Sequence, residues 1–281
     1  MGMGRLRRME IVKYGKLADY PSGANDRTLA VLLTLWPSLP ESIRDDVVLV
    51  GGLAVHLLTR HVANPFGPSS VTLDVDLGIS LGASAGTYET VSVTLQGIGF
   101  RKDKDDRLVR RLNELEIAID FLVEGPAGGG RMVDDVRATS FLGIQRALDT
   151  KRPYALRGHD AYGVESCVQI PVAALGPLLV LKLNAFYTRR HPKDAFDLLS
   201  LTMIHRRAAV ESLATEVKIN SGYAMARKCI ETLFQSPDAD GPRRALAFRT
   251  GSDLPVNEDD HQILEIMTTA GQILLDGTPS A

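Results

Sequence analysis

Asp74 and Asp76 stand two residues apart in the run Val71-Thr72-Leu73-Asp74-Val75-Asp76-Leu77-Gly78-Ile79. On a strand, residues i and i+2 share a face, so both carboxylates point one way while Leu73, Val75 and Leu77 point into a core. Two anions so close repel each other, and one pKa rises unless a cation neutralises the pair. An all-oxygen site of this kind suits Mg²⁺, with Mn²⁺ as the alternative, because the ion keeps positions for water and phosphate oxygens. The same spacing also describes an ordinary solvated sheet face. A third acid, Asp120, lies inside the apolar run 115–123, where an unpaired charge is costly. If its strand lies beside that of Asp74, three carboxylates converge, enough to hold two metal ions about 3.5–4 Å apart for displacement at phosphorus. The competing reading of Asp120 is an ion pair with an arginine such as Arg110 or Arg111.

Two further groups suit a phosphate. Gly51-Gly52 directly follows the apolar run 47–50, and with no side chains in the way a phosphate can approach the amides that open the next helix. A tight turn packing helix on strand would use the same two glycines. Lys182 is isolated among Leu178, Leu179, Leu181 and Leu183, so its ammonium needs a partner, and a triphosphate is a good one. Pro192 fits a helix N-terminus. Asp194 and Asp197, three apart, then share a face near the positive end of the following helix, where Asp194 can orient Lys182 or an arginine. Pairing of Lys193 with Asp197 on that helix is the plainer alternative.

The elements that must carry these residues follow from periodicity and breakers. A helix is predicted over 26–38, a strand over 47–50 and a helix over 53–61. A Pro/Gly/Ser loop follows at 64–70, then a strand over 71–80 and a helix over 85–96. Two strands are expected between 100 and 123: a charged one over 101–111, turning near Asn113, and the apolar 115–123. The GPAGGG stretch, 125–130, is a candidate boundary or mobile loop. Beyond it come an extended segment at 168–172, helices over 176–190 and 193–204, and further helical stretches near 208–235 and 257–275. The fold class expected is α+β, a mixed sheet followed by a largely helical C-terminal subdomain. Two closely packed domains are expected, 1–125 and 126–281, the second completing the cleft of the first.

The 281 residues carry a net charge of −2 and 44% hydrophobic residues, so neither disorder nor a uniformly basic surface is expected. Arg101, Lys102, Lys104, Arg107, Arg110 and Arg111 are interleaved with Asp103, Asp105 and Asp106. They form either a solvated hairpin or a phosphate-contacting edge for an RNA acceptor. Cys167 and Cys229 lack metal or redox spacing and are expected to be buried, reduced small hydrophobes. His56 and His61 lack a partner histidine at ligand spacing. No secretory signal and no membrane span is recognised, and a cytoplasmic location is expected.

Strand, Gly-Gly, helix, a strand with Asp-x-Asp and a later strand with a third Asp, over about residues 47–123, together resemble the DNA polymerase β-like nucleotidyltransferase superfamily. Gly52 stands where its members usually carry serine. The run from Leu178 to Leu198, with Lys182 in a helix and then Arg189-Arg190-His191-Pro192-Lys193-Asp194-Ala195-Phe196-Asp197, is similar to the AbiEii/MenT-type nucleotidyltransferases, a group that includes toxins of bacterial toxin–antitoxin systems. The resemblance implies transfer of a nucleotide from a nucleoside triphosphate to an acceptor hydroxyl, with pyrophosphate leaving. It implies metal ligands Asp74, Asp76 and Asp120, and a nucleotide held by Gly51, Gly52, Lys182 and Arg189. Asp194 and Lys182 would join the three metal-binding aspartates as catalytic residues. A tRNA acceptor and a cognate antitoxin are the partners implied; a protein or small-molecule acceptor, or nucleotide and RNA binding without catalysis, are the alternatives.

Overall fold

The computed structural model describes residues 14–62, 70–81, 88, 90–126 and 129–276. After a short 3-10 turn at Leu17–Asp19, the first half contains α1 (Ala24–Ser38), α2 (Glu41–Arg44), β1 (Val47–Val50), α3 (Gly51–Thr59), β2 (Asp74–Ile79), α4 (Val91–Gly97), β3 (Arg101–Lys102), β4 (Leu108–Leu112) and β5 (Leu115–Glu124). Then come β6 (Gly130–Val133), β7 (Val136–Phe141), α5 (Ile144–Asp149), β8 (Arg152–His159) and β9 (Glu165–Val172). Six helices complete the chain: α6 (Leu175–Arg189), α7 (Pro192–His205), α8 (Arg207–Ala214), α9 (Tyr223–Leu233), α10 (Asp240–Thr250) and α11 (Glu258–Asp276).

The strands form one mixed sheet in the order β3-β4-β5-β2-β1-β9-β8, with β7 beside the far half of β5 and β6 beyond it. β1 is fully buried and antiparallel to β2; β2 and β5 run parallel. This is the α+β architecture that the periodicity predicts, with the helical C-terminal part packed against the sheet-bearing part. α3 leaves the end of β1 and packs on β2 and α7, which brings the glycine turn, the acidic strand and the C-terminal helices to one place.

Several elements differ from the sequence reading. The charged strand expected over 101–111 is broken by a turn at 103–106, where Asp106 has φ 58, so β3 and β4 are separate. The predicted helix 85–96 begins at Val91 among the described residues, while 85–87 and 89 lie outside them. The sheet continues past residue 125 through β6 to β9. Cys167, expected to be buried, is exposed on β9; Cys229 is buried, and both are free thiols. The reason is local: β9 alternates between exposed and partly covered positions along its first half, as a strand does when only its end joins the core.

Candidate active site

Asp74 and Asp76 occupy alternate positions of β2 and are half-buried, while Val75 and Leu77 between and beyond them are buried. Asp76 lies opposite Asp120 in the parallel β2–β5 pair, so the two strands turn all three carboxylates to one face. Asp74, Asp76 and Asp120 line one cleft of about 460 Å³ together with Gly51, Gly52, Lys182 and Arg189. The residues singled out from the sequence therefore meet, with the exception of Asp194, which lies behind Arg189 and is fully buried.

The glycine turn is shaped by the acids. Val50 is paired with Asp76, so Gly51 comes directly under that side chain. Gly51 has φ +69, and a Cβ there would lie 1.8 Å from Asp76 Oδ2. Only glycine meets both demands. Gly52 is different: its backbone is ordinary, and the nearest atom to an added Cβ would be Lys193 Nζ at 2.6 Å.

Lys193 belongs to a buried ionic cluster on α6 and α7. Lys182 Nζ donates to Asp197 Oδ2 at 2.6 Å and Lys193 Nζ to the same oxygen at 2.8 Å. Ser70 donates to the other oxygen, Oδ1, at 2.7 Å. Arg189 grips Asp194 through both oxygens at 2.6 and 2.7 Å, and Lys182 stands 3.6 Å from Asp194. Burial opposes the charge on Lys193, yet the attraction and hydrogen bond of Asp197 outweigh it and hold the ammonium above its ordinary range. Burial likewise opposes ionisation of both aspartates, but Arg189 keeps Asp194, and Lys182 with Lys193 keeps Asp197, below the usual carboxylate range. Three cations thus share two carboxylates, and the cluster presents a net positive wall to the cleft. His191, whose Nδ1 accepts from the Lys193 N–H, and Pro192 begin α7 as the sequence implies.

Lys193, Tyr20 and Arg107 are among the cleft residues not assigned to the site from sequence. Lys193 figured only as an intrahelical partner of Asp197. Tyr20 lines the cleft beside the 3-10 turn; burial first, then Asp197, pushes its phenol well above the ordinary range. Arg107 is the arginine that pairs with Asp120; the competing reading of Asp120 as half of an ion pair names Arg110 or Arg111 as its partner. Its Nε donates to Oδ1 at 2.6 Å, one terminal nitrogen donates to Oδ2 at 2.5 Å, and the same nitrogen stands 3.4 Å from Asp74 Oδ1. Arg110 instead lies over the rings of Phe100 and Tyr162. The signal was in the strand register: Leu108 pairs with Ile119, which sets residue 107 beside Asp120.

The donor types are those a hard divalent cation takes: oxygen only, from two carboxylates on one strand and a third on the adjoining strand. Among the described residues no group of three or more His, Cys, Asp or Glu is placed so that it could hold a metal ion; Asp120 is engaged by Arg107.

No family model matches the chain, and no curated protein matches it. Among solved structures it is similar to the crystal structure of an antigenic nucleotidyltransferase-like protein from Paracoccidioides brasiliensis, at 16% identity over 74% of this chain and 94% of that chain, with a TM-score of 0.39. Among the described residues no helix is long and apolar enough to cross a membrane.

Proposed function

We propose that the chain is a metal-dependent nucleotidyltransferase, moving a nucleoside monophosphate from a nucleoside triphosphate to an acceptor hydroxyl with release of pyrophosphate. The observation that carries this reading is the mixed charge of the cleft. Asp74, Asp76 and Asp120, the positive cluster of Lys182, Arg189 and Lys193, and the glycine turn all line the same cleft. A metal-bound triphosphate carries the complementary charges, metal cations and an anionic tail.

Asp74, Asp76 and Asp120 would hold Mg²⁺ or Mn²⁺. Bound there, the ions would supply charge neutralisation and a more nucleophilic acceptor oxygen. Lys182, Lys193 and Arg189 would hold the phosphates that leave as pyrophosphate. In the displacement the acceptor oxygen bonds to the α-phosphorus, the bond to the pyrophosphate oxygen breaks, and the hydroxyl proton passes to solvent. Asp194 and Asp197 position these cations and touch neither phosphate nor acceptor. The Gly51 turn makes room for the Asp76 carboxylate at the start of α3, and both glycines line the cleft that the triphosphate would enter. A tRNA 3′ end as acceptor, a toxin role and a cognate antitoxin rest on the resemblance of 178–198 to the AbiEii/MenT group.

Incubation with each α-labelled nucleoside triphosphate, Mg²⁺ and either total RNA or protein extract should label one acceptor pool and release pyrophosphate. Asp76→Ala should abolish the label, and full activity in that variant would overturn the proposal. One observation, the hold of Arg107 on Asp120, favours a second reading: a nucleotide-binding protein without transfer. It expects nucleotide binding with no pyrophosphate released.

A further inference from the structure

Arg107 is not a stray surface arginine. It follows the turn at 103–106, which is built to present it: Asp103 Oδ1 accepts from the N–H groups of both Asp105 and Arg107, at 2.8 and 3.0 Å, and Asp103 N–H donates back to the Arg107 carbonyl at 2.9 Å. Arg137, from β7, donates to the Asp105 carbonyl and ties the same turn to the sheet. The guanidinium so placed uses a fork of two N–H groups to take both oxygens of Asp120 and reaches Asp74 with one of them.

Those oxygens are the ones a divalent ion would need. A carboxylate gripped at both oxygens by a planar guanidinium has one in-plane lone pair of each oxygen committed, and the positive guanidinium beside it repels a second cation, so arginine and metal compete for Asp120. We propose that Arg107 is a resident counter-ion that competes with divalent metal for Asp120 and Asp74, and that its release from Asp120 is a condition of filling the three-carboxylate site. This rests on the reading of Asp74, Asp76 and Asp120 as metal ligands.

Exposure makes release feasible here and not in the neighbouring cluster. The Arg107 side chain is 23% exposed and Asp120 24%, whereas Lys182 is 6% and Asp197 0% exposed. Arg107 can therefore be rehydrated as it leaves, while Lys182 and Lys193 are locked in place. Three acids on one face also need some cation at all times, and Arg107 supplies it without metal. A freed Arg107 remains at the cleft wall, where an anionic substrate would take it up, so metal and triphosphate should bind more tightly together than apart.

Mn²⁺ titrated into the full chain, followed by electron paramagnetic resonance and by thermal unfolding, tests this. Arg107→Gln should bind Mn²⁺ about tenfold tighter than the unaltered chain, the scale set by removing a charge-assisted pair. Arg107→Lys, which keeps the charge and loses the fork, should fall between. Adding Asp120→Asn to Arg107→Gln should cancel the gain. A purely structural arginine would give the opposite, weaker metal binding on removal. If Arg107→Gln and Arg107→Lys bind Mn²⁺ no more tightly than the unaltered chain, while Asp76→Ala loses it, the site holds metal and Arg107 is no competitor. If the unaltered chain and both arginine variants bind none, the metal reading itself fails and the competition with it. Should Arg107→Gln not fold, Arg107→Lys decides alone.

Discussion

Gly51 and Gly52 are neighbours in sequence with different work to do. At Gly51, a methyl group would enter the space of the Asp76 carboxylate from a left-handed backbone. Gly51→Ala should therefore cost about 1–3 kcal/mol of stability and displace Asp76, lowering transfer by on the order of 100-fold. Gly52→Ser meets Lys193 Nζ, which Asp197 holds, and Thr72, but its backbone is not left-handed, so it should destabilise less than Gly51→Ala, which adds backbone strain to the clash. Urea unfolding of both variants beside transfer assays would check the order. The buried charges give a second expectation. Asp197 neutralises both Lys182 and Lys193 and is itself fully buried. Asp197→Ala leaves two cations short of a partner and should cost about 3–5 kcal/mol, readable as a shifted urea midpoint. A change under 1 kcal/mol would show that water or Asp194 serves the two lysines equally well.

Between elements, Asn25 is the joint that ties α1 to α3, through His56, and to the segment entering β2. Asn25, on α1, donates to His56 Nδ1 at 3.0 Å and to the Ser70 carbonyl at 2.7 Å, and accepts from Thr72 N–H at 3.0 Å. The joint needs a neutral imidazole, because Nδ1 must accept. Burial first, then Arg60, lowers the His56 pKa to about 4. Below about pH 6.5 the unfolded chain takes a proton here that the folded chain refuses until about pH 4, so stability falls as pH drops through that window. Discounted for partial exposure, the loss is about 1–2 kcal/mol. Asp194 and Asp197, held below their usual range, keep their contribution above about pH 4 and lose it only lower, so the two effects separate. His56→Gln, which can still accept from Asn25, should show a flatter melting temperature between pH 7 and pH 4.5 than the unaltered chain. At this scale the sequence was legible where one side of an element is buried and its ends are marked: the all-apolar β1 against the glycine turn, the two-residue period of β2, and α6 and α7 on either side of Pro192. It was not legible where burial is thin. β8 buries one residue of eight and carries Pro153 in an edge strand; α10, by contrast, buries Leu246 and Phe248 but opens with Asp240-Gly241-Pro242, which reads as a turn. Pairing of Asp120 with Arg107 and not Arg110 depended on strand register, which local pattern does not encode.

For the whole molecule, the question is whether the acids and the cations are carried by parts that can separate. The buried core is continuous from Ala24 in α1 to Leu274 in α11. Aromatic contacts cross it: Tyr20 at the cleft meets Phe248 of α10 edge-on at 6.0 Å, and Phe248 meets Phe196 of α7 at 5.2 Å. The helix that bears Lys193 is thus braced by a residue far along the chain. The two units proposed from the sequence, 1–125 and 126–281, should then unfold together. Trp36, the single tryptophan and a buried residue of α1, reports the first; far-ultraviolet circular dichroism, dominated by α6 to α11, reports the second. Coincident denaturation curves are expected. Phe248→Ala should shift both by the same amount, about 3–5 kcal/mol, and should also raise KM for the triphosphate by loosening α7 and Tyr20. Curves that part, with the Trp36 signal unmoved by Phe248→Ala, would mean that the cleft lies between independently folding bodies and that its polarity is assembled only when they dock.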